Sequence, residues 1–156
     1  MRTLQELNDL EDLRDLRLAY TNHFDGGELD ALLGLYTDDA VLDFGPFGVW
    51  TGKDAMRAGW SPYFEGRTGA APYSFGRHVV TNPELKVTGD TGWGRWFLID
   101  VSYFERGSTE MRKDPIVLYG TYEDLYVRVD GVWKMSRTTL HFHWPVAGGA
   151  PAGLVR

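Results

Sequence analysis

Two side chains in this sequence have the types and surroundings to move a proton between carbon and oxygen: Asp25 and His78. Asp25 follows a leucine-spaced stretch, precedes Gly26-Gly27 and has no arginine or lysine close to it in sequence. A carboxylate near an apolar core must find a hydrogen-bond partner or accept a raised pKa, and histidine is a natural partner. His78 lies in an alternating run from Tyr73 to Asn82, in which His78, Val80 and Asn82 share one face and Arg77, Val79 and Thr81 the other. Taken alone, a histidine between valines is more often a hydrogen-bonded core residue than a base. Held by a buried carboxylate, it gains a fixed tautomer and greater basicity, which is what a general base requires. Asp25 also has two quieter readings, as an exposed helix-end residue or as a cap on the helix that follows.

Further groups could assist. Tyr20 stands five residues before Asp25, so the two share a face only if the helix opens into the Gly26-Gly27 turn, and that opening is expected. Near the C-terminus strict alternation puts Trp133, Met135, Arg137, Thr139, His141 and His143 on one strand face, with Ser136, Thr138, Leu140, Phe142 and Trp144 on the other. Arg137 then lies beside its tryptophan neighbour, or serves as a solvated charge or a partner of Asp124 or Asp100. His141 and His143 project together and could ligate a metal, but no carboxylate motif accompanies them, and a packing or subunit contact is the preferred reading. Gly92-x-Gly94 falls inside strand pattern and not between a strand and a helix, so no phosphate loop is read there, and no serine elbow occurs. No cofactor and no metal are expected.

These groups need elements to position them. Thr3 and Glu6 form a capping box that should start a helix. Leu4, Leu7, Leu10, Leu13, Leu16, Tyr20 and Phe24 recur at helical spacing, with Arg14, Arg17 and the acidic residues mostly off that stripe. Gly26-Gly27 ends the helix, and Glu28 to Tyr36 reads as a second short one closed by Thr37-Asp38-Asp39. Ala40 to Phe44 reads as a short strand, Gly45 to Gly48 as a loop, and Lys53 to Glu65 as a third helix bearing Met56, Trp60, Tyr63 and Phe64. From Ser74 onward valine, tyrosine, tryptophan and phenylalanine alternate in four segments: Ser74–Asn82 with Leu85–Val87, Gly92–Tyr103, Ile116–Val129 and Val132–Trp144. Gly107 to Asp114 reads as a loop. Asp130-Gly131 is a hairpin turn that pairs Tyr126-Val127-Arg128 with Trp133-Lys134-Met135. Helices first and a long antiparallel sheet afterwards give an α+β domain whose sheet curls into a cone around the helices.

Composition sets the outer limits. The 156 residues, 43% hydrophobic and 14% aromatic, can bury one substantial core, so one domain over 1–145 is expected, followed by a glycine-rich flexible or partner-docking tail over 146–156. A formal charge of −6 opposes a nucleic-acid or anionic-membrane partner, because phosphate binding needs a basic face. The chain has no cysteine, which removes disulfides and thiolate chemistry. The N-terminus lacks the apolar core of a signal peptide, and no apolar run reaches the ~20 residues of a membrane span. A cytoplasmic protein is expected. The candidate substrate wall is apolar and aromatic: Tyr36, Trp50, Trp60, Phe75, Trp96, Tyr119 and His141. Aromatic surface on one sheet face points to a homo-oligomer, dimer or trimer.

The order and spacing of Leu16-x3-Tyr20-x4-Asp25, Tyr36-Thr37-Asp38-Asp39-Ala40, Gly52-Lys53, Arg77-His78-x3-Asn82-Pro83, Gly89-Asp90, Gly120-x-Tyr122-x-Asp124-x-Tyr126 and Asp130-Gly131-x-Trp133-Lys134-Met135 resemble the SnoaL-like branch of the nuclear transport factor 2-like superfamily. Within it the chain is most similar to bile acid 7α-dehydratase, scytalone dehydratase and hexachlorocyclohexane dehydrochlorinase. The resemblance implies a cone-shaped α+β barrel and a cofactor-independent lyase. It matches the lyases' aspartate and histidine to Asp25 and His78, and the bile-acid enzyme's tyrosine and arginine to Tyr20 and Arg137. The second histidine of scytalone dehydratase and the first-helix lysine of the dehydrochlorinase have no counterpart. Elimination from a hydrophobic cyclic hydroxy or keto compound, such as a steroid, polyketide or terpenoid, is the expected reaction. An isomerase or aldol cyclase using the same base, and a non-catalytic binding or subunit-assembly module, are the alternatives.

Overall fold

The computed structural model describes residues 1–64, 76–104 and 111–144. The first helix, α1 (Leu4–Gly26), opens on the expected capping box, with the Thr3 hydroxyl accepting the Glu6 amide at 3.1 Å and the Glu6 carboxylate accepting the Thr3 amide at 2.6 Å. It closes at Gly27, whose φ of 75° is the left-handed conformation that ends helices. Its inward stripe differs from the leucine pattern. Leu4 and Leu7 are exposed, and burial runs through Leu10, Leu13, Arg17, Tyr20 and Phe24. Gly92 lets α1 settle against the sheet, since a Cβ there would lie 2.8 Å from Leu13 Cδ1.

The second helix, α2 (Leu29–Gly34), is one residue pair short of the turn that would have included Tyr36. Tyr36 instead begins the first strand, β1 (Tyr36–Asp43), which takes in the Thr37-Asp38-Asp39 segment read as a helix end. Pairing overrides the local helical pattern: the Met135 amide donates to the Leu35 carbonyl at 2.9 Å, and Tyr36 registers with Met135. A short 3-10 turn over Gly45–Phe47 leads to β2 (Val49–Thr51), a strand too short for periodicity to reveal, and then to α3 (Lys53–Phe64).

Four long strands follow: β3 (Gly76–Thr88), β4 (Thr91–Phe104), β5 (Met111–Val129) and β6 (Val132–Trp144). β5 extends back through Met111 to Asp114, residues read as loop. The six strands form one curved sheet in the order β2-β1-β6-β5-β4-β3. It is antiparallel except for the parallel pair β1 and β6, and it does not close into a barrel. The expected hairpin is present, with Tyr126, Val127 and Arg128 opposite Met135, Lys134 and Trp133, and with Asp130 and Gly131 at φ 50° and 81°. One core fills the space between the three helices and the inner face of the sheet. Among the described residues no helix is long and apolar enough to cross a membrane. Phe75 and the tail over 146–156 lie outside the described residues.

Candidate active site

The last turn of α1 delivers Asp25 to the start of β3. As an edge strand, β3 has amides that point away from β4, and Asp25 takes one of them. Asp25 Oδ2 accepts the His78 backbone amide at 3.0 Å, and Oδ1 lies 2.6 Å from His78 Nδ1. Both side chains are largely buried, with 13% of His78 and 7% of Asp25 exposed. One carboxylate therefore fixes the position of the strand and the rotation of the ring together. With the Nδ1 proton directed at Asp25, the basic nitrogen is Nε2. Phe24 packs edge-on against the imidazole, with ring centres 4.7 Å apart and planes at 69°. Across the ladder Asp100, the register partner of His78, brings Oδ2 to 3.9 Å from Nε2 and accepts a hydrogen bond from the Ser102 hydroxyl at 3.2 Å. The sequence reading weighed Asp100 only as a partner for Arg137. Its place beside the histidine depends on the β3/β4 register.

Tyr20 is fully buried but does not share a face with Asp25, because α1 stays helical through Gly26 and the expected opening does not occur. It connects to His78 through Phe24, against which it stacks with ring centres 6.0 Å apart. Tyr36, Trp60 and Tyr122 surround it at 5.9–6.4 Å. Burial, reinforced by the neighbouring Tyr122 phenol, pushes the Tyr20 hydroxyl well above its ordinary pKa, so it is a donor at every working pH.

Beside these rings lies a charge pair that residue type concealed. Arg17, completely buried, donates from Nε and Nη2 to Asp124 Oδ2 and Oδ1 at 2.9 and 2.7 Å. Asp124 also accepts from the Tyr126 hydroxyl and the Thr138 hydroxyl, each at 2.8 Å. Burial works against the guanidinium's charge, but the adjacent carboxylate outweighs it and holds the Arg17 pKa above its ordinary value. The spacing was available in the sequence. Positions 10, 13, 17, 20 and 24 step by three and four residues, and Asp124 alternates with Tyr122 and Tyr126.

Several expected site residues fall elsewhere. Between Leu125/Tyr126 on β5 and Met135/Arg137 on β6 the register gains a residue, so Ser136 is a bulge. Trp133 and Met135 face the core, whereas Arg137 turns to the other side, donating to Asp43 Oδ2 at 3.4 Å and to the Thr139 hydroxyl at 3.2 Å. The bulge also sends His141 outward, where it pairs with Glu123 at 3.2 Å, while Thr138 and Leu140 turn inward. Tyr119 is on the outer face and 46% exposed. His143 bonds the Thr121 hydroxyl, and the described residues contain no group of three potential metal ligands. Tyr36, Trp60 and Trp96 are inside the core, and Trp50 packs against Phe44 at 6.2 Å.

The SnoaL-like domain profile matches residues 5–139. Solved structures of the same shape include a candidate scytalone dehydratase from Novosphingobium aromaticivorans (TM-score 0.73, 24% identity, covering 94% of this chain and 95% of that one). A candidate aromatic ring hydroxylase from the same organism superposes with a TM-score of 0.71 at 26% identity, over 92% of this chain and 94% of that one. A type 2 hexachlorocyclohexane dehydrochlorinase does so at 0.69 and 22% identity, over 96% and 98%. Among proteins of curated function none matches the sequence significantly.

Proposed function

Because the chain belongs to the SnoaL-like domain family, we propose that it is a cofactor-independent lyase that eliminates water from a hydrophobic cyclic hydroxyketone. The observation that carries this reading is the double engagement of His78 by Asp25, through the backbone amide and through Nδ1. His78 Nε2 takes a proton from carbon next to a carbonyl. The electron pair of that C–H bond forms the new double bond, the C–O bond breaks, and the departing hydroxyl leaves as water with the proton the imidazolium returns. Asp25 stabilises the imidazolium between those steps. Tyr20, neutral and buried, donates to the oxyanion that develops on the carbonyl. Asp100 at 3.9 Å from Nε2 offers a second proton acceptor. That favours, as a second reading, an isomerase that uses the same base but moves the proton without expelling water.

The substrate class follows from the rings that line Tyr20 and His78. Tyr36, Trp60 and Phe24 offer flat apolar contact, suited to steroid, polyketide or terpenoid skeletons. A homo-oligomer is also inferred, because Val79, Phe97 and Tyr119 are each close to half exposed on the outer face of the sheet.

Incubation with a panel of polycyclic β-hydroxyketones tests the reaction, since elimination creates a conjugated enone that absorbs in the near ultraviolet. His78→Ala and Asp25→Asn should each lower turnover by ~10²–10⁴-fold in protein that remains folded by circular dichroism. Rearranged product without loss of water selects the isomerase. Equal turnover in wild type and both variants removes the pair from catalysis.

A further inference from the structure

Arg17 and Asp124 are not matched to each other in hydrogen-bonding capacity. The carboxylate has four donors and is saturated. The guanidinium keeps one nitrogen, Nη1, buried and without a hydrogen-bond partner among the described residues. Two neighbours share that condition, the Tyr20 hydroxyl and Trp60 Nε1. They belong to one cluster. The Arg17 guanidinium carbon lies 4.5 Å from the Tyr20 ring centre and 3.9 Å from that of Tyr122, and the Tyr20 and Trp60 rings are 6.2 Å apart.

A buried donor left unpaired is costly, more so when charged, and folded chains tolerate few of them. Three on contacting side chains, one of them cationic, form a set of donors to which the described residues supply no acceptor in hydrogen-bond geometry. We propose that Arg17 Nη1 and the Tyr20 hydroxyl together bind an anionic or enolisable oxygen of the substrate, so that the site selects planar ligands carrying a phenolate, enolate or carbonyl oxygen. Arg17 then supplies the positive charge that the family resemblance gives to Arg137, and Trp60 provides a wall and a third donor. The cation is held ready because Asp124 fixes the two other nitrogens of the fork and leaves Nη1 aimed by the planarity of the group.

Phe24 links the oxygen site to the base, with Tyr20 on one side and His78 on the other. Use of the bound oxygen in catalysis rests on the lyase reading. The binding itself does not.

The test is binding of 4-nitrophenol, whose ionised form is yellow, at a pH where the free compound is mostly neutral. Wild-type protein should bind it as the phenolate, with the visible band rising on titration. Tyr20→Phe removes one hydroxyl and keeps the ring that packs against Trp60 and Tyr122, and circular dichroism verifies that the fold is kept. It should weaken 4-nitrophenol binding at least tenfold and abolish the yellow form, while leaving affinity for 4-nitrotoluene unchanged. Arg17→Lys, if folded by circular dichroism, should also lose the yellow form. His78→Ala should retain it, which separates failure of the oxygen site from failure of the base. No binding to wild type, binding of the neutral phenol only, an unaltered phenolate band in Tyr20→Phe, or loss of the band in His78→Ala overturns the proposal.

Discussion

Removing either member of the Arg17–Asp124 pair should be among the most damaging single changes available to this protein. Both side chains are fully buried, and the carboxylate ties together α1 (through Arg17), β5 (through Tyr126) and β6 (through Thr138). Breaking a buried pair leaves its partner charged and uncompensated, at a cost of about 3–5 kcal/mol. For a chain of this length each kcal/mol shifts Tm by roughly 2–4 °C, so Arg17→Met or Asp124→Leu should lower Tm by about 6–20 °C. The double variant has no stranded charge. It does orphan one bond each from the Tyr126 and Thr138 hydroxyls, but the first still accepts from Trp96 Nε1 at 3.3 Å and the second still meets the Tyr36 hydroxyl at 3.2 Å. The double variant should therefore unfold no earlier than the worse single variant, with a coupling of about 3 kcal/mol or more across the cycle. Thermal unfolding by circular dichroism, with urea titration as a second probe, measures all four proteins. Single variants that each lose less than about 1 kcal/mol, the scale of an exposed pair, or a double variant equal to the sum of the singles, would refute the assignment of a buried and mutually dependent pair.

Two further perturbations probe the surroundings of the site. Gly59 on α3 leaves space for the Trp50 indole, since a Cβ at position 59 would lie 2.1 Å from Trp50 Nε1. Gly59→Ala should displace that indole, cost about 1–3 kcal/mol in urea titration and red-shift the tryptophan emission; unaltered stability and emission would show that Trp50 does not rely on the glycine. Asp9 is buried at a cost that alone would raise its pKa, but hydrogen bonds from Arg128, Gln5 and Trp133 prevail and hold it below the ordinary 3.8. With the folded value below the unfolded one, Asp9 contributes stability above the ordinary carboxylate range and loses it as pH falls through the lower folded value. Asp9→Asn should narrow the gap between urea midpoints at neutral pH and below 3.8; an equally wide gap would remove Asp9 from acid sensitivity.

Local chemistry made the Asp25 and His78 candidates legible. A glycine pair after a helical stripe marks where α1 stops, and alternation around His78 predicts the inward face that it takes alongside Val80, with Val79 outward. Their contact at 2.6 Å joins residues 53 positions apart and follows from how α1 docks on the edge strand, which periodicity does not report. Residue type places Arg17 off the apolar stripe, although its position fits the inward one. Charge counted by position would have found it, because an inward arginine on α1 requires an inward carboxylate, and Asp124 between Tyr122 and Tyr126 is placed to be one.

The bulge at Ser136 decides the rest of the site. Strict alternation from Trp133 carries Arg137 and His141 to the core, and one extra residue reverses the side chains that follow as far as Phe142, where the register shifts again. Thr138 then reaches Asp124, and Leu140 joins the core. Had β6 run without the bulge, Arg137 would enter the core beside Arg17 with one buried carboxylate between two guanidinium groups, and the Thr138 bond to Asp124 would be lost. Two buried cations against one anion is a far costlier arrangement than one matched pair, since each uncompensated charge in the interior carries a desolvation penalty of several kcal/mol. The buried Arg17–Asp124 pair and the outward course of Arg137 are thus one solution to the same electrostatic problem. It leaves Arg17 as the cation nearest to Tyr20 in the core, and Arg137 at the surface with Asp43.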